Sequence, residues 1–272
     1  MNRLLCIPLF ALLALPAVII SAQERPASPA DDPRKDDPQK IERIAPPSPA
    51  ASVQELEDTG DLLRARKEYL DAIDYYRAAL QKTENAVLHN KIGICLIQLQ
   101  RYNDSKKEFE RAVKVDANYA EAHNNLGAAD YQLRRFGAAV KEYNRAIKLN
   151  DTSAHFHSNL GSAYFSRKEF DKATREYHRA LELDPAIFDP QAGGGVSVKL
   201  ATQGDRAYFH YIIAKMYGIK GDEEHCRLYL AKANEAGYPY VKDALKDGEF
   251  AQLRKDPGFV LFVRSLKRPA EE

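Results

Sequence analysis

The chain has 272 residues, 44% hydrophobic and 29% charged, a balance that suits a globular protein with a real core. Lys plus Arg number 40 and Asp plus Glu 39, so no net field draws in a polyanion. Nucleic-acid binding and adhesion to an acidic membrane surface are therefore not expected.

The first 22 residues stand apart. Arg3 precedes an apolar run from Leu4 to Ile20, and Ser21-Ala22 leads into polar Gln23. A short positive start, an apolar middle and a small residue before polar chain predict a secretory signal peptide cleaved after Ala22. Ile20 departs from the small residue preferred near such a cut. The alternative is an uncleaved N-terminal anchor, since the run lies at the lower limit of a membrane span; the protein would touch a membrane only in that case. With the leader removed, Cys95 and Cys226 remain, too few for a disulfide framework, and both read as small core residues.

Residues 23–52 hold seven of the 14 prolines and no aromatic side chain. Such a segment buries too little apolar surface to offset its ordering entropy, which predicts a disordered, semi-extended linker. From Ser52 onward the pattern is helical and recurs. Gly60, Gly93, Gly127 and Gly161 are spaced by 33, 34 and 34, a period that indicates stacked supersecondary units. Twelve residues after each glycine comes a small side chain (Ala72, Ser105, Ala139, Ala173). Sixteen after comes an aromatic one (Tyr76, Phe109, Tyr143, Tyr177), and nineteen after an alanine (Ala79, Ala112, Ala146, Ala180).

This pattern resembles the tetratricopeptide repeat family. The resemblance implies an all-α fold: a right-handed superhelical solenoid of helix-turn-helix repeats with C-terminal capping helices. Four repeats fall in 53–187, and a fifth, diverged copy in 207–240 carries Ala214 for the marker glycine and Cys226 in the small slot. No repeat buries its apolar face alone, so neighbours must stack.

An insertion at 188–206 contains Gly193-Gly194-Gly195, but no Lys-Ser or Lys-Thr follows in a strand-loop-helix frame, so a loop is expected there in preference to a phosphate cradle. Phe250, Leu253, Phe259, Phe262, Val263 and Leu266 in the tail predict two short amphipathic helices capping the last repeat within 241–268.

His89, His123, His157 and His210 share one slot of their repeats. Equivalent positions on stacked helices lie roughly 8–10 Å apart, whereas one metal needs its ligand nitrogens at about 2.0–2.1 Å. The ladder predicts packing, with no metal and no cofactor. Asp130 breaks the pattern where the repeat wants a large apolar residue, and local accommodation is expected there.

By the resemblance, Asn90, Asn124, Asn125 and Asn159 face the concave groove, where carboxamides both donate to and accept from a peptide backbone. The alternative is that asparagine is simply the repeat's common occupant there. Tyr131, His155, Phe165, Tyr211 and Lys215 complete the expected groove, with Glu57, Asp58 and Asp61 at an acidic first end. The cations of a carboxylate-gripping repeat domain are missing, since those slots hold Glu121, Asn125, Asn159, Tyr208 and Ile212. No nucleophile, base or acid constellation suggests catalysis. The expectation is a non-catalytic scaffold for a protein or peptide partner, exported to the periplasm or beyond, or anchored in the inner membrane facing the periplasm. The resemblance implies a role in cell-envelope assembly or secretion. A regulatory arm of an enzyme is the remaining alternative.

Overall fold

The computed structural model describes residues 45–188 and 203–266. The leader, the Pro-rich segment up to residue 44, the glycine triplet and the last six residues lie outside the described residues. Eleven α-helices and three 3₁₀ turns make up the described secondary structure.

Helices α1 (Val53–Ala65), α2 (Tyr69–Leu80), α3 (Ala86–Gln98), α4 (Tyr102–Val115), α5 (Ala120–Gln132), α6 (Phe136–Leu149), α7 (Ala154–Ser166) and α8 (Phe170–Leu183) form four antiparallel hairpins. The fifth hairpin is α9 (Gln203–Lys220) with α10 (Glu223–Glu235). The second helix of each of the first three hairpins packs on the first helix of the next, and α3, α5 and α7 touch in series. The result is a right-handed superhelical solenoid. No described helix is long and apolar enough to cross a membrane.

The glycine period has a direct cause. A Cβ built at Gly60 would lie 2.5 Å from the Tyr76 ring, at Gly93 2.4 Å from Phe109, at Gly127 2.8 Å from Tyr143 and at Gly161 2.7 Å from Tyr177. Each aromatic ring of the second helix rests on the bare backbone of the first. All four rings are buried, so the pair closes the hairpin where a larger residue at the glycine would hold it open.

The turns inside the hairpins repeat as well. Lys67, Gln100, Arg134 and Lys168 have φ of 65°, 58°, 59° and 62°, and Gly221 has φ of 75°. At each, two backbone bonds close the helix end; Lys168 N donates to Phe165 O and Glu169 N to Tyr164 O, the pattern of a Schellman C-cap. Between hairpins, Asp116, Asn150 and Asp184 accept from the backbone N–H two residues on, at 2.9, 3.1 and 2.9 Å.

The structure revises three boundaries. The linker's last residues are held, because Tyr75 donates to the Ala45 carbonyl at 3.1 Å and Lys82 to that of Pro49 at 2.8 Å. The first helix of the fifth repeat starts at Gln203, four residues ahead of Ala207. The tail forms three 3₁₀ turns (Val241–Leu245, Gly248–Phe250, Leu253–Lys255) and a single helix, α11 (Pro257–Ser265). Only α11 has a strong start: Asp256 accepts from Gly258 and Phe259, and Pro257 sits in the first turn. Gly218 of α9 admits this tail, since a Cβ there would meet the Phe250 ring at 2.8 Å and the Glu249 carbonyl at 2.9 Å.

Candidate peptide-binding groove

The amides form a directed hydrogen-bond relay. Asn159 Nδ2 donates to Asn124 Oδ1 at 2.9 Å, Asn124 Nδ2 to Asn125 Oδ1 at 3.2 Å, and Asn125 Nδ2 to Asn90 Oδ1 at 2.9 Å. Asn90 Nδ2 ends the relay on the Tyr119 hydroxyl at 3.3 Å. The relay spans α7, α5 and α3. Its rule is positional: the sixth residue of one repeat donates to the fifth residue of the repeat before it. Lys91 obeys the same rule one junction earlier, donating to Glu57 at 2.6 Å. One contact is thus made with charge at the first junction and with carboxamides at the next two.

A carboxamide offers two N–H donors and two lone pairs. Each relay asparagine spends one donor, and Asn90, Asn124 and Asn125 each spend one oxygen site. Asn124, Asn125 and Asn159 each keep a donor and an acceptor for another molecule. Asn124, Asn125 and Asn159 are half-buried, and Asn90 is buried.

The acidic first end is neutralised from within. Lys91 bridges Glu57 and Asp61 at 2.6 Å each, and Tyr76 donates to Asp61 at 2.7 Å. Burial alone would raise the Asp61 carboxyl, but the Lys91 and Tyr76 hydrogen bonds hold it below the usual carboxylate range. Asp58 is exposed and takes a bond from Gln54 at 2.8 Å.

Other expected groove residues divide. His155 is exposed and Lys215 half-buried. Phe165 is only 1% exposed, in edge contact with Phe170 and Phe209; it is a core residue and does not line the groove. Tyr131 is buried, and its hydroxyl meets Ser166 Oγ at 3.0 Å. Tyr211 is buried as well, donating to Asp247 at 2.9 Å. Large rings at these positions gain more from the gap between adjacent hairpins than from solvent.

The histidines act as buckles. His89, His123 and His157 place Nδ1 at 2.7, 2.8 and 2.7 Å from Glu108, Glu142 and Glu176 of the following helix. Their Nε2 atoms meet Glu84, the Ala117 carbonyl and the Asp151 carbonyl in the preceding loops, at 2.9, 3.1 and 3.2 Å. The glutamate nineteen residues on was the sequence signal for this role, and sequence reasoning missed it. At His210 that position is Tyr229. There Nδ1 has no partner among the described residues, and burial first, then Lys232 and Arg206, pulls the pKa down to about 4. Among the described residues no three His, Cys, Asp or Glu side chains converge as a metal site.

Asp130 is 2% exposed, with Lys106 at 3.5 Å. Burial raises its pKa against the pull of that ammonium. Cys95 and Cys226 are fully buried, and burial pushes their thiols up to about 11 and about 12.

A family profile described as TPR repeat matches residues 129–166, and two described as Tetratricopeptide repeat match 154–186 and 86–119. No curated protein sequence matches the chain. Among solved structures, MamA is 26% identical and covers 67% of this chain and 96% of its own, with a TM-score of 0.47. MamA of Desulfovibrio magneticus RS-1 is 16% identical over 71% of this chain and 97% of its own, with a TM-score of 0.50. YrrB, described as a TPR protein with an unusual peptide-binding site, is 18% identical over 75% and 93%, with a TM-score of 0.47.

Proposed function

The chain belongs to the tetratricopeptide repeat family, and from that premise we propose that it is an exported, non-catalytic scaffold binding an extended segment of a partner protein along α3, α5 and α7. The amide relay is the observation that carries this reading. A row of carboxamides locked by one another holds its remaining donors and acceptors in fixed register, and an extended backbone presents the complementary groups at a regular spacing. Preorganisation of this kind lowers the entropy lost on binding. The export half of the proposal rests on the leader-like first 22 residues, which favour a periplasmic or extracellular site and a role in envelope assembly or secretion. An uncleaved leader would make the same scaffold a membrane-tethered adaptor.

The test is crosslinking in the native envelope, comparing wild type with Asn125→Ala/Asn159→Ala. Losing the two inter-repeat bonds costs about 1 kcal/mol each, so a thermal melt must first show the variant folded at the assay temperature. The proposal expects a partner captured by wild type and lost by the folded variant. Equal capture by both would remove the groove from the account.

A further inference from the structure

A cavity of about 470 Å³ opens between α8, α9 and the 3₁₀ turns of the tail. One wall is aromatic and continuous. Phe170 meets Tyr208 edge-on at 4.8 Å, Tyr208 stacks on Tyr238 at 5.8 Å, and Tyr238 stacks on Tyr211 at 4.5 Å. The lining also carries four carboxylates, Asp171, Asp243, Asp247 and Glu249, against two cations, Arg175 and Lys215. Lys215 is fully engaged: its ammonium lies 3.0 Å from Asp247, 3.0 Å from Glu249 and 5.8 Å from the centre of the Tyr211 ring. Asp243 is half-buried and makes no ion pair among the described residues.

We infer that this cavity receives the guanidinium of an arginine side chain on the bound partner. A half-buried carboxylate beside stacked tyrosine faces is a poor place for an anion or a neutral apolar group. It favours a planar cation that stacks on a ring and bonds a carboxylate through two N–H groups. Lys215 shows the preference within the molecule, since its own ammonium has settled between two carboxylates over an aromatic face. Tyr208, Tyr211 and Lys215 stand at the second, fifth and ninth positions of the fifth repeat, so the cavity continues the face that holds the amide relay. The inference deepens the groove reading and rests on it for the peptide, while the pocket itself can be tested without a peptide.

The probe is N-acetyl-arginine amide, with N-acetyl-citrulline amide as its uncharged counterpart, titrated into the full chain and followed by amide NMR shifts. The expected result is saturable shifts at Tyr238 and Asp243, with arginine binding roughly tenfold tighter than citrulline. Asp243→Asn, which keeps shape and removes charge, should weaken arginine by about tenfold. Lys215→Met should strengthen it severalfold by freeing two carboxylates. A residue with only a structural role would not produce these opposite signs. Asn125→Ala/Asn159→Ala should leave the probe unaffected, so failure of the groove and failure of the pocket are distinguishable. Equal binding of the two probes, shifts confined to other faces, or no saturable shift would each overturn the inference. If arginine binds only after Lys267→Ser/Arg268→Ser, the occupant is the chain's own end and the partner assignment falls.

Discussion

Replacing Gly93 with alanine tests the packing rule behind the whole solenoid. The new Cβ would sit 2.4 Å from Phe109 Cε1 and 2.7 Å from both Cδ1 and Cζ. Phe109 is 1% exposed in a buried cluster with Leu126 and Ala129, so the ring has little room to retreat and α3 must move off α4. Overpacking of this kind costs about 1–3 kcal/mol. Alanine's better helix propensity returns about 0.8–1 kcal/mol. At an approach as short as 2.4 Å the overpacking cost falls in the upper part of its range, about 2–3 kcal/mol. The net expectation is therefore destabilisation by about 1–2 kcal/mol, with a smaller loss for Gly127→Ala, whose nearest ring atoms lie 2.8 Å away. The fifth repeat contains the remedy: Ala214 replaces the glycine, and the residue sixteen on is Leu230, both fully buried. Phe109→Leu should therefore rescue Gly93→Ala, giving a favourable coupling of about 1 kcal/mol in a double-mutant cycle. Urea melts by circular dichroism measure the cycle. Hydrogen exchange in α3 and α4 adds the local view that a repeat array requires, because repeats can open separately. A Gly93→Ala protein as stable as wild type, or a null coupling with Phe109→Leu, would refute the reasoning.

Left-handed turn residues offer a milder perturbation. Gly221→Ala at φ of 75° should cost about 1 kcal/mol, while Lys168→Gly should stabilise by up to about 1 kcal/mol, both read as melting-temperature shifts. His210 has its folded pKa depressed from 6.5 to about 4, so the unfolded chain takes up its proton first. Its contribution to stability is complete above pH 6.5 and is lost as pH falls toward 4. His210→Leu should accordingly show a smaller drop in melting temperature across that window than wild type. N-terminal sequencing of protein recovered from its native compartment should begin at Gln23; an intact Met1 on protein held in the membrane fraction would establish the tethered form instead.

The hairpins were legible because the sequence states their mechanism twice. A glycine and an aromatic residue sixteen apart are both needed for one contact, and their recurrence fixes period and phase together. The amides were legible as a set, but their mutual pairing was not, because it links fifth and sixth positions of different repeats whose distance depends on the stacking. The histidine buckles carried a signal in the glutamates nineteen residues on. Phe165 was misplaced because an aromatic residue at a nominal groove position suits a gap between hairpins equally well, and only the neighbours Phe170 and Phe209 decide. The short 3₁₀ turns of the tail have no periodicity of their own and follow from Gly218 leaving space for Phe250.

The fifth repeat keeps the hairpin turn but abandons three other repeated devices at once. The glycine and the aromatic residue sixteen on become Ala214 and Leu230, both buried. The histidine–glutamate buckle becomes His210 beside Tyr229, whose hydroxyl donates to the Phe188 carbonyl. The relay stops because Ile212 stands where an amide would donate to the preceding repeat. Three departures in one hairpin need a common cause. The first four repeats stack on one another in series, so their junctions recur with similar geometry. The α9–α10 hairpin packs on the fourth repeat on one side and, on the other, against the 3₁₀ turns and α11 through Phe250, Phe259 and Val263, all fully buried. Its residues meet that second surface as well, and Tyr208, Tyr211 and Lys215 line the cavity with Tyr238 and the acidic tail. Loss of the repeat pattern and appearance of a chemically distinct pocket are thus two results of the same change of neighbour.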